Sequence, residues 1–263
     1  MLGAIAGDII GSLYEIQGLK TMDFPLFVPK SHFTDDTVLT VAVADGLLHP
    51  EKTYTDCYYE YGNRYPMAGY GKTFRNWLQS ADKQPYNSWG NGSAMRVSPV
   101  AYAFETLEEV VAEAEKTAIA THNHPEGIKG AQAVSTAIFL ARKGKTKPEI
   151  KDAIQRMFQY DLERTIDQIQ PDYKFDVSCQ GSVPESVIAF LEGNDFEETV
   201  RLAVSLGGDA DTMACIAGSI AEAFYGGIPA GIEAETRRRL PAAMLQVVEA
   251  FYRKYPPQNS QHT

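Results

Sequence analysis

The chain has 263 residues and 29.0 kDa, with 44% hydrophobic and 22% charged residues, the composition of a folded globular protein. Against 34 Asp and Glu stand 24 Lys and Arg, a net charge of −10 with no basic run, which excludes non-specific nucleic-acid binding and anionic membranes as expected partners. Cys57, Cys179 and Cys215 are odd in number and form no CxxC pair, which argues against a disulfide scaffold or a cysteine zinc site and for a reducing compartment.

The first residues, MLGAIAGDIIGSLYE, lack a basic region, and Asp8 interrupts the apolar run, so they do not read as a signal peptide. No stretch reaches the ~18 apolar residues that span a bilayer. A cytoplasmic monomer is expected.

Helical periodicity predicts elements at 2–14, 35–48, 53–63, 71–81, 99–104, 107–120, 126–143, 147–160, 183–192, 195–206, 211–225, 230–239 and 241–254. Three starts read as capping boxes: Thr106 with Glu109, Thr146 with Glu149, and Ser182 with Glu185. Asn194 or Asp195 should cap the helix that Gly207-Gly208 ends. Residues 161–181, with Pro171 and the run Tyr173 to Val177, are expected to be irregular or extended. No linker or repeat divides the chain. The expectation is one all-α domain over 1–255, followed by a frayed tail at 256–263.

Gly3, Gly7 and Gly11 fall at i, i+4, i+8 on the first helix, and Ala210, Ala214, Gly218 and Ala221 form a similar ridge on a late one. Each interior glycine costs about 1 kcal/mol relative to alanine. Such ridges predict closely packed helix axes.

Five segments carry candidate chemistry. In Phe33-Thr34-Asp35-Asp36-Thr37 a capping threonine is followed by two carboxylates, which either favour the helix dipole or present hard oxygen ligands. Gly207-Gly208-Asp209-Ala210-Asp211-Thr212 repeats the arrangement behind two glycines. Counted from Asp209, an EF-hand loop would need Gly and Glu where Ala214 and Ile220 stand. A DxDx[TV] phosphatase motif fails because Met213 holds its fifth place and no strand precedes it. Glu15 closes the first predicted helix, two turns after Asp8 on the same face. Trp89-Gly90-Asn91-Gly92-Ser93-Ala94-Met95-Arg96 could expose N–H groups to phosphate oxygens, although Asn-Gly is also an ordinary turn. In Thr121-His122-Asn123-His124-Pro125 the two histidines lack a third nitrogen ligand, so hydrogen bonding to a polar substrate is favoured over zinc. His32, His49 and His262 have no such company.

Taken in order, GAIAGDIIGSLYE at 3–15, FTDDT at 33–37, WGNGSAMR at 89–96, THNHPEG at 121–127 and GGDADTMACIAG at 207–218 resemble the ADP-ribosylglycohydrolase family, which includes the dinitrogenase-reductase-activating glycohydrolases. The resemblance implies an orthogonal bundle of about a dozen or more helices with two divalent cations, Mg²⁺ or Mn²⁺, at the base of a cleft. It implies Thr34, Asp35, Asp36, Asp209, Asp211 and Thr212 as metal ligands and Glu15 as a ligand or mobile catalytic carboxylate. Gly90, Asn91, Gly92, Ser93, Ala94 and Met95 would meet the pyrophosphate, and His122 the ADP-ribose. The implied activity is hydrolysis of the bond between ADP-ribose and a modified acceptor, with Glu15 or Asp36 as the base.

These side chains are all hard oxygen donors, as Mg²⁺ and Mn²⁺ prefer. Partners are then ADP-ribose and an ADP-ribosylated substrate, with arginine, serine, a nucleic-acid end and a small molecule all open as acceptors. Two other readings compete: a hydrolase of another ribosyl or phosphate ester bond, and a silent nucleotide-binding or structural member, as the related jellyfish lens crystallins suggest. The intact acids argue against the silent reading.

Overall fold

Short oxygen-bearing side chains decide where most helices start. The computed structural model describes residues 1–15 and 17–257, so Ile16 and the last six residues of the expected tail, His262 included, lie outside the described residues. The helices are α1 (Leu2–Gly11), α2 (Asp35–Leu48), α3 (Tyr54–Arg64), α4 (Lys72–Gln79), α5 (Gly92–Met95), α6 (Val100–Ala103), α7 (Leu107–Ile119) and α8 (Pro125–Arg142). They continue as α9 (Lys147–Phe158), α10 (Ile166–Ile169), α11 (Cys179–Glu192), α12 (Phe196–Ser205), α13 (Ala210–Tyr225), α14 (Ala230–Arg238) and α15 (Ala242–Lys254). The fold is all-α. Among the described residues the only β pairing is an isolated antiparallel bridge between Gly90 and Ser178, and no helix is long and apolar enough to cross a membrane.

The predicted boxes at Thr106 and Thr146 form, with each threonine accepting from the N3 backbone and each glutamate accepting from the threonine N–H. Asp195 caps α12, and Gly207 follows it at φ +67, in the left-handed region that favours glycine. Three readings are corrected. The Ser182 box does not form: α11 starts four residues earlier, where Ser178 accepts from the Gly181 N–H. Ser182 instead donates back to the Ser178 carbonyl, and Glu185 is drawn away to Arg164 at 2.6 Å. The first helix stops at Gly11 rather than residue 14, because Ser12 to Glu15 leave as turns. Glu15 therefore does not share a helix face with Asp8. Within the irregular stretch, Thr165 and Gln168 form a box that starts the single-turn α10.

Helix α13 runs through the centre, buried from Ala210 to Ala223, and packs on α1, α12, α11 and α8. The small-residue ridges meet there. A Cβ on Gly7 would lie 2.0 Å from the Ala214 carbonyl oxygen, and one on Gly3 2.3 Å from that of Gly218. The two helices thus touch backbone to backbone, and neither main chain can move aside cheaply. Gly7→Ala should destabilise the protein by about 1–3 kcal/mol or more, as overpacking does. Thermal unfolding checks this, and an unchanged Tm would show that the contact yields.

The close approach places the end of α1 beside the start of α13. Helix α2 packs on α1 as well, so the two Asp-rich helix starts converge on one point.

Candidate active site

Asp8 fastens that point. It is fully buried on an otherwise apolar helix. Its carboxylate accepts from the Thr34 N–H at 2.9 Å, the Thr34 hydroxyl at 2.7 Å, the Thr37 N–H at 3.1 Å and the Thr37 hydroxyl. Four donors from the start of α2 therefore close on one side chain of α1. Sequence reading used Asp8 only to dismiss a signal peptide and to count turns to Glu15. The available signal was a lone charge in a helix too apolar to tolerate one without partners.

The other acids gather around it. Single oxygens of Asp8, Asp36 and Asp211 lie within 4.8 Å of one another, and so do those of Glu15, Asp209 and Asp211. Asp211 belongs to both groups. If Asp209 served only as a helix cap, its side chain would accept from the first turn of α13, and no such bond forms. Its Oδ2 accepts from Asn91 Nδ2 at 2.7 Å instead. Asp36 Oδ1 is buried with no hydrogen-bond partner, while Oδ2 has only long contacts of 3.4 Å with the hydroxyls of Thr34 and Thr212. An ionised carboxylate with an orphaned buried oxygen is costly, so this oxygen suits a proton or a cation.

Protonation follows the same logic. Burial, and secondly the Asp211 charge, raise Asp8 to about 7 against the pull of its hydrogen bonds, and raise half-buried Glu15 to about 7. Asp35, Asp36 and Asp209 are held well above the usual carboxylate range, again first by burial and then by Asp211. The leading charges acting on these five groups are other carboxylates. A hard divalent cation fits this donor set, because it would neutralise the acids and take up the orphaned oxygen.

A stability prediction follows. A carboxyl whose folded pKa exceeds its unfolded value holds more protons folded than unfolded between the two. Its contribution is complete below the unfolded value near 4 and is lost as pH rises through about 7. In chelator, Tm should therefore fall from pH 5 to pH 8. Added Mg²⁺ or Mn²⁺ should flatten the slope, because a cation at about 100 times its Kd adds roughly 2.7 kcal/mol. A flat Tm in chelator would show that the acids do not repel one another in the folded state.

The acids floor a cleft of about 720 Å³, within the usual range for small-molecule sites. Glu15, Thr34, Asp35, Asp36, Asp209, Asp211 and Thr212 all line it, as do Gly90, Asn91, Gly92, Met95 and His122. Ser93 and Ala94 do not: both are buried behind the loop, and the Ser93 hydroxyl donates to the Gly127 carbonyl at 2.7 Å. The two histidines of the HNH segment separate. His124 caps α8 and meets the Trp89 ring edge-on, while His122 faces the cleft. His32, passed over in sequence, lines the cleft, and so does the start of α4 at Gly71, Lys72 and Thr73. Volume alone does not select this site. A groove of about 750 Å³ lies elsewhere, but Lys52 and Lys116 there pair with acids and Lys254 with the Leu47 carbonyl.

An all-helical enzyme with an acid-floored cleft that could hold cations is the class these features define. The chain belongs to the ADP-ribosylglycohydrolase family, which it matches over residues 1–260. It is 24% identical to the human ADP-ribosylhydrolase ARH3 over 305 aligned residues, covering 86% of this chain and 84% of that protein. It is also 24% identical to the ADP-ribosylarginine hydrolase Tri1 of Pseudomonas putida, covering 86% of this chain and 69% of the relative. A solved structure described as an ADP-ribosylglycohydrolase-related protein complex superposes with a TM-score of 0.68 at 25% identity, covering 97% of both chains.

Proposed function

We propose that this enzyme hydrolyses the N- or O-glycosidic bond between ADP-ribose and a modified acceptor, with two divalent cations, Mg²⁺ or Mn²⁺, held by Asp35, Asp36, Asp209, Asp211, Thr34 and Thr212. The observation that carries the reading is the two carboxylate clusters that share Asp211, with no ion pair to a basic side chain among the described residues, set beneath a nucleotide-sized cleft. Bound there, the cations would offset the acid charge and hold and polarise the ribose hydroxyls.

The protein's own groups supply the rest. The first turn of the single-turn α5 leaves the cleft-lining Gly92 N–H open, since Asn91 N–H is taken by the Val177 carbonyl at 2.7 Å and Ala94 and Met95 bond to the Asn91 carbonyl. On the same cleft, α4 has Gly71 as N-cap with no side-chain cap, and exposed Lys72 stands in its first turn. These donors suit the two phosphates of ADP-ribose, which an acidic protein must hold locally. As the glycosidic bond breaks, positive charge develops at the anomeric carbon, as for glycosides generally, and the nearby carboxylates stabilise it. Glu15, raised into the neutral range, takes a proton from the attacking water. The leaving side chain departs already protonated or as a good leaving group. Asp36 is the alternative base.

The test is ADP-ribose release from arginine-linked, serine-linked and nucleic-acid-linked substrates, with and without chelator. At least one should be cleaved, and only with Mg²⁺ or Mn²⁺ present. Full activity in excess EDTA, with no metal by elemental analysis, would sink the metal reading. No release from any linkage would sink the activity.

A further inference from the structure

Arg96 lies under the cleft floor, fully buried, with its guanidinium 4.0 Å from the Tyr58 ring centroid. Its Nη2 donates to the Thr117 carbonyl and to the Thr121 hydroxyl, both at 2.8 Å, while Nε and Nη1 have no partner. A buried cation with two unsatisfied donors is a poor stabilising element, and its position calls for another explanation. The Thr121 oxygen also lies 2.7 Å from His122 Nδ1. On the far side of that ring, Nε2 lies 3.0 Å from where a Cβ on Gly92 would sit and 3.6 Å from one on Gly90. The two glycines therefore leave Nε2 uncovered at the cleft.

Donor chemistry sets the proton order. Guanidinium can only donate, so the Thr121 oxygen accepts from Arg96. With its single proton directed to Nδ1, 2.7 Å away, that nitrogen is the bare one of the ring. The Tyr86 hydroxyl also lies beside Thr121, and this order requires it to donate to the remaining lone pair rather than accept the Thr121 proton. We propose that Arg96 and Thr121 are positioning residues that fix the His122 proton on Nε2, presenting a hydrogen-bond donor to an oxygen of the bound ADP-ribosyl group. The identity of that ligand rests on the function proposed above, and the proton order does not. Burial and the Arg96 charge both hold His122 well below the usual histidine range, which keeps it neutral and leaves the tautomer as the variable.

Long-range ¹H–¹⁵N correlation on the full chain labelled at histidine nitrogens reads the tautomer directly, with His122→Gln to assign the signal. Wild type should show a protonated Nε2 and a bare Nδ1. Thr121→Val, of nearly equal volume, should populate the other tautomer and weaken ADP-ribose binding about tenfold, the scale of one hydrogen bond to a charged group. Thr121→Ser, which keeps the hydroxyl, should restore both. A merely structural threonine would lower Tm without moving the tautomer. Wild type with its proton on Nδ1, the order that would arise if Thr121 donated to Tyr86, overturns the proposal even if the variants do not fold. So does a folded Thr121→Val protein with unchanged tautomer and affinity. Wild type with the proposed tautomer but no affinity for ADP-ribose would instead overturn the ligand assignment alone.

Discussion

Asp211→Asn is expected to abolish turnover while making the metal-free protein more stable at pH 8. Asp211 belongs to both acid groups, and it is the largest charge raising Asp8, Glu15, Asp35, Asp36 and Asp209. If the site holds cations as proposed, removing its charge weakens their binding, and a loss on the order of 10³-fold in kcat is expected, the scale at which a charge-stabilising group at a reacting centre acts. It also relieves repulsion at five buried or half-buried neighbours. Each kcal/mol regained should raise Tm by about 2–4 °C in a chain approaching this length. The competing view is that Asp211 only favours the N-terminal dipole of α13. That role contributes about 0.3–1 kcal/mol, so the variant would then melt earlier and turn over normally. The two views differ in the sign of the Tm change in chelator and in kcat, and one purified variant decides between them.

Glu15→Gln is expected to keep the size of the side chain and much of the ADP-ribose affinity while lowering kcat by about 10²–10⁴-fold, the usual contribution of a general base. An amide cannot take the proton from water. The pH profile adds a second readout. The limb of wild-type kcat that reports Glu15 should rise towards pH 7, because burial holds its carboxyl protonated to about 7 in the absence of cations, and a bound cation should move that limb to lower pH. In the variant this limb should disappear. If Glu15 chiefly holds a cation, the loss should instead be in metal affinity, and raised Mg²⁺ or Mn²⁺ should restore part of the rate. Wild-type kcat at ordinary metal concentration would exclude both roles.

Most of the helices were legible from local chemistry. Thr106 with Glu109 and Thr146 with Glu149 cap their helices as read, because a capping box needs only residues three apart. Thr34 caps the start of α2 at Asp35 by a simpler bond, accepting from the Asp36 N–H. The Ser182 box failed because α11 starts earlier, at the Ser178 cap, which leaves Ser182 inside the helix and Glu185 free to pair with Arg164, remote in sequence. Short elements such as α5 and α10 carry too few residues to show a period.

The site divides along the same line. Residue type and order already placed two acid pairs at helix starts, a glycine-flanked loop and a histidine segment in one chain, and those features carried the family resemblance that the match over residues 1–260 bears out. Sequence alone did not decide what those acids do, since a dipole-favouring aspartate and a metal-ligating one read identically. The close approach of α1 to α13 brings Asp36, Asp209 and Asp211 round the buried Asp8, with no ion pair to any of them among the described residues, and the metal reading rests on that packing. The reach of Glu15 into the same cleft from a turn, the retreat of Ser93 behind its loop, and the chain from Arg96 through Thr121 to His122 are likewise tertiary facts. Local sequence fixes which backbone groups need partners. Which distant side chains share one desolvated volume, and so which charges and protons they can keep, depends on how the helices pack.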